Sequence, residues 1–545
     1  MGGLLNILDI GGSALFASQA AMNTTSNNIA NANTPGYDSE ITLLEPVDYV
    51  SLAGGNANMN NPGGVAVTGV QRQYDSFLQN QIYQQQQSLS SSDSSSNVLS
   101  QVEQAFNETG NTGLSTYFNN FVDSWQQVAD NPSDAASRTV LLSNAQALVG
   151  AAQQAQGAVQ SAIKWANDSI AQTVQTVNNL ASQIAGLNQK ISSMAGTGDG
   201  SDSQLRDERT SVMNQLSQYV DFNYFEDPTG QVTIIAGMQD LVSGSQTEAL
   251  SVQPDSNGDN QVYMGGRNIT SVIQKGSLGG LIAGRSDAET QGLDPLRRFV
   301  AALVQQVNQV QEQGYDLNGN QAANEPFFTP LTLDATANSG ASITASVTNE
   351  SQLTLDEYNI TYSGGSYSVT DRNTGQSVTA SVSTSGGSTT IGFDGIQAVI
   401  SGAPNSGDTF SISPLESAVN NFGVAITGGS QVAAAQTAGE PGDNSNALAM
   451  LNMLQNGQVP GLGNDTLTDY YKGIVSTTGA LSSAASDSQT FNSNLLDQLN
   501  AQRDSTSGVS LDEETVNLIK YQQAYEAGAK VIETTSQLIN TLMNI

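Results

Sequence analysis

Apolar residues return at every seventh position near the start of the chain, at Leu8, Leu15, Met22 and Ile29, with the small residues Ala14, Ala17, Ser18 and Ala21 between them. That spacing predicts a helix with an apolar stripe so narrow that another helix is its natural cover. The helix should end near Asn33-Thr34-Pro35-Gly36, where proline and glycine disfavour continuation. The far end carries a counterpart. There Leu518, Tyr521, Tyr525, Gly528, Ile532, Thr535, Ile539 and Leu542 alternate spacings of three and four, like the seam of a coiled coil. Ser510 ahead of Glu513 makes a capping-box arrangement, and Asp512 and Glu514 favour a first turn. Both ends of the chain thus offer helices that want partners.

The same spacing recurs in the interior, from Ala166 through Ile170, Val177, Ile184 and Ile191 to Met194, within a helical stretch that starts near Ser133. About 60 such residues at ~1.5 Å each make a rod on the order of 90 Å long. Pro295, capped by Asp294, predicts the start of a further helix through Leu296, Phe299, Leu303, Val307 and Val310. Short β-like runs set off by turns occupy 220–284, and Thr, Ser, Val and Gly alternate through 327–414. Helical patterns resume afterwards, notably over 447–454 and 491–499. No period of about 20 to 50 residues recurs, so the sequence does not support a solenoid or propeller.

The expected fold class is therefore α+β, elongated and multidomain, with paired terminal coiled-coil helices, a long-helix body and an inserted antiparallel β domain. The expected division is an N-terminal axial helix and linker (1–65), a helical body (66–326) with a β subdomain near 220–285, the inserted β domain (327–414), a returning helical body (415–504) and a C-terminal axial helix (505–545).

Composition narrows the chemistry. Across 545 residues there is no cysteine and no histidine, which removes disulfides, thiolate nucleophiles, imidazole bases and the usual zinc or copper ligands. A net charge of −34, from 50 acidic against 16 basic residues, repels phosphate backbones and anionic lipid, so nucleic acid is not an expected partner. Yet only 12% of residues are charged, and a neutral polar surface packs against copies of itself with little charge desolvation. No stretch reaches the about 18 apolar residues that a membrane span needs, and no Lys or Arg precedes the first apolar residues as in a cleaved signal peptide.

Asp255-Ser256-Asn257-Gly258-Asp259 and Asp316-Leu317-Asn318-Gly319-Asn320 open like calcium loops but lack the defining glycine and glutamate, having Asn260 and Gly266 in one and Gln321 and Phe327 in the other. They read as acidic turns. Asp207 and Glu208, interleaved with Arg206 and Arg209, point about 100° apart on a helix and read as a solvated ion-pair face rather than a glycosidase pair. No catalytic, cofactor-binding or metal-binding residue is expected. The sequons Asn107-Glu108-Thr109 and Asn359-Ile360-Thr361 reflect the abundance of Asn and Thr.

One ordered stretch is specific: Asn28-Ile29-Ala30-Asn31-Ala32-Asn33-Thr34-Pro35-Gly36-Tyr37 resembles the N-terminal signature of the rod, hook and hook-associated proteins of the flagellar axis. Ser507-Gly508-Val509-Ser510-Leu511-Asp512-Glu513-Glu514, followed by Leu518-Ile519-Lys520-Tyr521-Gln522-Gln523-Ala524-Tyr525, is similar to the C-terminal signature of the hook-associated protein 1 family, the hook–filament junction proteins. Tyr74-Asp75-Ser76-Phe77-Leu78, and Asn131-Pro132-Ser133-Asp134 followed by Arg138, resemble the body of the same family, and the resemblance favours helix for the Gln84–Gln87 and Ser90–Ser96 runs. One departure is Asp38-Ser39-Glu40, where the family commonly has a basic residue.

The resemblance implies a structural subunit whose terminal helices pair in the inner wall of a tube, with Leu8, Leu15, Met22, Ile29, Leu518, Tyr521, Tyr525, Ile532, Ile539 and Leu542 at the assembly interface and Asn33, Thr34, Pro35, Gly36 and Tyr37 as the signature turn. It implies as partners copies of the chain, hook protein, the second junction protein and a flagellar export chaperone, with no membrane insertion. The implied location is the extracellular flagellum, reached through the flagellar secretion apparatus without a cleaved signal. The alternatives are another axial protein, either hook protein or the second junction protein, and a secreted carbohydrate-active enzyme.

Overall fold

Short polar side chains decide where the body helices begin. In the computed structural model, which describes residues 2–34, 36–47, 63–194, 202–338 and 340–543, Asp75 Oδ1 accepts the N–H groups of Phe77 and Leu78 at 3.0 and 3.1 Å. Asp134 Oδ2 accepts that of Ser137 at 2.8 Å. Each satisfies donors that a helix start leaves unpaired. In chain order the elements are α1 (Gly2–Asn31), β1 (Glu40–Pro46), β2 (Val65–Arg72), α2 (Ser76–Ala105), α3 (Leu114–Asp130), the 60-residue α4 (Ala135–Met194) and α5 (Ser203–Tyr219). Next come β3 (Asn223–Glu226), β4 (Val232–Ala236), β5 (Gln239–Ser243), β6 (Gln246–Thr247), β7 (Leu250–Pro254), β8 (Asn260–Met264) and β9 (Arg267–Asn268), then α6 (Gly276–Asp287) and α7 (Asp294–Gln313). The inserted β region holds β10 (Asp334–Asn338), β11 (Ser342–Val347), β12 (Tyr358–Ser363), β13 (Ser366–Asp371), β14 (Ser377–Val378), β15 (Ser381–Ser385), β16 (Ser388–Phe393), β17 (Ile396–Ser401) and β18 (Thr409–Ser413). Helices α8 (Ser445–Asn456), α9 (Leu467–Ser507) and α10 (Leu511–Met543) follow.

The described residues form two compact units, one of 1–95, 167–282 and 486–545, the other of 96–166 and 283–485. In the first, β1 and β2 pair antiparallel, β3 to β6 make a four-stranded sheet and β7 to β9 a three-stranded one. Asparagines on α4 hold these sheets by imitating a strand edge. Asn178 both donates to and accepts from the Leu250 backbone (2.9 and 2.8 Å), and Asn188 does the same with Val232 (2.7 and 3.0 Å). The serine- and glutamine-rich α2 is a helix because its polar face finds partners of its own kind: Gln85 with Asn492, Gln87 with the Phe222 carbonyl, Ser94 with Ser277. Sequence propensity alone left it marginal.

In the second unit, Phe121 and Trp125 of α3 pack with Phe327, Phe328 and, through Phe328, Phe422 in an aromatic cluster with centroids 4.9–6.4 Å apart. The inserted domain is two antiparallel sheets, ordered β10-β18-β12-β13-β14 and β11-β17-β16-β15, sharing a core that includes Ile343, Tyr358, Ile391, Phe393, Ile400 and Phe410.

Two sequence expectations need correcting. Pro295 does not open a helix capped by Asp294. A π-helical segment over Ala288–Leu293 leads from α6 directly into α7, and Asp294 N–H donates to the Glu289 carbonyl. Widening the turn before Pro295 is a known way for a helix to continue into a residue that lacks an N–H and crowds the preceding turn. Nor do Arg206 to Arg209 form a solvated face. Arg209 is buried and donates to the Gly230 carbonyl (2.6 Å) and Asn188 Oδ1 (3.0 Å), while pairing with Glu226 (3.1 Å). Asp207 lies 2.5 Å from Arg72.

Candidate assembly interface at the paired terminal helices

Helices α1 and α10 pack along each other. The residues most deeply buried on α1 are small or polar: Gly11, Ala17, Ser18, Ala21, Thr24, Thr25 and Asn28. On α10 they are Gly528 and Thr535. Gly11 lies so close to α10 that a Cβ placed on it would be 2.8 Å from Ile532 Cγ1, and one placed on Gly528 would be 3.3 Å from Leu15 Cδ2. Small residues let the backbones approach, and the larger heptad residues then sit beside the line of contact rather than on it. Accordingly Leu8, Leu15, Met22, Ile29, Leu518, Tyr521, Ile532 and Ile539 are half-buried, whereas Tyr525 and Leu542 are exposed. Sequence periodicity found the stripe but gave Gly11 no role.

The signature turn closes the pair. Asn33 and Thr34 are exposed, Gly36 takes a φ of +80°, which only glycine adopts freely, and Tyr37 is half-buried. Pro35 lies outside the described residues. Asn28, 1% exposed, makes four hydrogen bonds. Its Nδ2 donates to the Glu40 carbonyl (2.9 Å) and to Glu514 Oε1 of α10 (2.8 Å). Its Oδ1 accepts from the Tyr37 hydroxyl (2.9 Å) and the Glu40 N–H (3.0 Å). Ser39 N–H donates to the Ser507 carbonyl at 2.8 Å, so the turn is tied to both ends of the α9–α10 connection. Burial, with Glu40, Asp207 and Glu514 nearby, pushes the Tyr37 hydroxyl well above its ordinary range.

The acidic run after the turn is held from within the chain. Asp38 is buried and pairs with Arg72 of β2 at 2.7 Å, and the same guanidinium meets Asp207 and lies 4.9 Å from the Tyr74 ring centroid. Burial raises the Asp38 carboxyl despite Arg72, and raises Glu40 as well. Asp207 is pushed up to about 7, by burial first, with Asp38 and Glu40 adding to it and Arg72 opposing. Sequence reasoning missed this cluster because its members come from separated segments.

Much of the pair remains uncovered: Phe16 is 75% exposed, Val516 64% and Leu538 55%, with Leu5, Ile10 and Ile519 also exposed. The acidic turns are closed on themselves by hydrogen bonds. Asp255 Oδ1 accepts the N–H groups of Asn257 and Asp259, and Asp316 Oδ1 those of Asn318 and Asn320.

The matches to protein families fall at both ends of the chain and in its middle. Residues 8–37 match the flagella basal body rod protein family and 501–545 the flagellar basal body rod FlgEFG protein C-terminal family, covering most of α1 and all of α10. Those ends define the class, that of flagellar axial proteins. Residues 99–328 match the flagellar hook-associated protein FlgK helical domain, and 333–414 the D2-like domain of flagellar hook-associated protein 1. Among relatives, flagellar hook-associated protein 1 of Escherichia coli K12 is 32% identical over 549 residues, covering 98% of each chain. That of Bacillus subtilis is 27% identical over 543 residues, covering 97% of this chain and 96% of its own. The chain belongs to the flagellar hook-associated protein 1 family. The flagellar hook junction protein FlgK of Burkholderia pseudomallei shares the fold, with a TM-score of 0.66 at 22% identity over 78% of this chain and all of that one.

Proposed function

We propose that this chain is a structural, non-enzymatic subunit that joins the flagellar hook to the filament and assembles through its paired terminal helices. The observation that carries the reading is the end-to-end correspondence with relatives named flagellar hook-associated protein 1. The α1–α10 pair supports it, since burial within one subunit leaves Phe16, Val516 and Leu538 to be covered by neighbours. The interface comprises Leu8, Leu15, Met22, Ile29, Leu518, Tyr521, Tyr525, Ile532, Ile539 and Leu542, with the Asn33–Tyr37 turn closing it. Copies of the chain lie alongside, hook protein on one side and the second junction protein on the other. The chain travels unfolded through the flagellar secretion apparatus after release from an export chaperone, a passage that the absence of cysteine favours.

Deletion of the gene tests this. Hooks should form and carry no filament, and complementation with the Ile539→Asp variant should fail to restore filaments although the variant is made as a folded protein. Normal filaments on the deletion strain would overturn the reading. Soluble glycan cleavage by the purified chain would favour the carbohydrate-active alternative.

A further inference from the structure

The buried contact between the turn after α1 and helix α5 has an unequal count of charges. Asp38 and Asp207 both reach the one Arg72 guanidinium, at 2.7 and 2.5 Å, and all three side chains are largely removed from water, at 7%, 14% and 10% exposure. With both carboxylates ionised the cluster holds a net negative charge that water does not screen. We propose that Asp38, Arg72 and Asp207 form a proton-operated latch, closed when the carboxylates share one proton and loosened when that proton leaves, which fastens the base of the terminal helix pair to α5.

The surroundings fix the sign. From the turn and β1, Tyr37 and Glu40 face the cluster; from β2 comes Arg72 itself, and from the segment just after β2, Tyr74; from α5, Ser203 hydrogen-bonds Glu40; from α9, the Arg503 charge acts on Asp38; and from α10, Glu514 adds negative charge next to Tyr37. Among the described residues Arg503 is the second cation acting on Asp38, and it does not reverse the upward shift. Among the three carboxylates, burial is the main influence in each case and acts against ionisation. A folded-state carboxyl at about 7 against an ordinary 3.8 means that the closed latch binds a proton which the open latch releases. Closure is therefore strongest at low pH and is lost progressively as pH rises to about 7. The latch controls the segment that ties the helix pair to the body, since Ser39 N–H donates to Ser507 and Gln73 N–H to Ser39, both at 2.8 Å.

Amide hydrogen exchange on the full-length purified chain tests this. Corrected for intrinsic exchange, protection at Ser39, Glu40 and Gln73 should fall by about tenfold between pH 6 and pH 8.5, the factor expected for a carboxyl moving between about 7 closed and its ordinary value open. Asp207→Asn keeps the shape and removes the charge, so protection at the same amides should vary little with pH. Equal wild-type protection at the two pH values would overturn the latch. So would an Asp207→Asn variant that retains the full wild-type pH dependence, which would place the proton elsewhere.

Discussion

Gly11 and Gly528 face each other across the terminal helix pair, so close that a methyl group on either would lie 3.6 Å from the other's carbonyl oxygen. That approach, rather than the leucines and isoleucines of the repeat, sets the spacing of α1 and α10. Ile532 closes over Gly11 and Leu15 over Gly528.

A side chain at Gly11 must therefore displace Ile532. Gly11→Ala should lower the stability of the helix pair by about 1–3 kcal/mol, as overpacking does. Because the obstacle is a side chain, Gly11→Ala combined with Ile532→Ala should be destabilised by less than the sum of the two single changes. Helicity and thermal melting of the four proteins measure this, and strict additivity would mean that the two residues do not touch.

Asn28 is the other point of control. Asn28→Ala removes four hydrogen bonds and strands the buried groups that made them, at a cost of about 2–3 kcal/mol. Glu514→Gln keeps an oxygen that can accept from Asn28 and loses only the charge, so it should cost less than half as much. Urea unfolding of the terminal helices compares them, and equal losses would show that charge rather than the hydrogen-bond network holds the turn.

Both ends were legible in the sequence because a seven-residue repeat encodes local geometry: α1 ends at Asn31 just before the proline and glycine, and α10 opens at Leu511 directly after Ser510. The long interior helix, the inserted sheets and the serine-rich α2 followed from period and resemblance in the same way. The Arg72 cluster did not, because its acids lie on separate segments, the Asp38 and Arg72 pair alone being 34 residues apart, and folding decides which charges meet. Pro295 misled for a related reason. A proline signals a helix start only when the backbone before it is not already helical, and here α6 arrives through a π turn.

Chelators should leave the melting temperature unchanged. In Asp255 and Asp316 Oδ1 accepts two backbone N–H groups and Oδ2 accepts side-chain amides, and both turns lack the glycine and glutamate of a calcium loop. A drop on adding a chelator, reversed by calcium, would contradict that account of the turns.

Brief proteolysis separates the terminal helices from the rest. A pair whose flanks expose Phe16 and Val516 should be trimmed from the isolated chain while the two-sheet domain and the Phe121–Phe328 cluster survive. Assembled flagella should resist the same treatment at α1 and α10. Equal resistance of termini and body in the isolated chain would argue against completion of the pair by neighbours.

The most direct test of the central claim is the position of the chain on intact flagella, marked by an antibody raised against its inserted β domain. A single narrow band between hook and filament is the predicted result. Label spread along the hook or along the filament, or none on the flagellum, would contradict it.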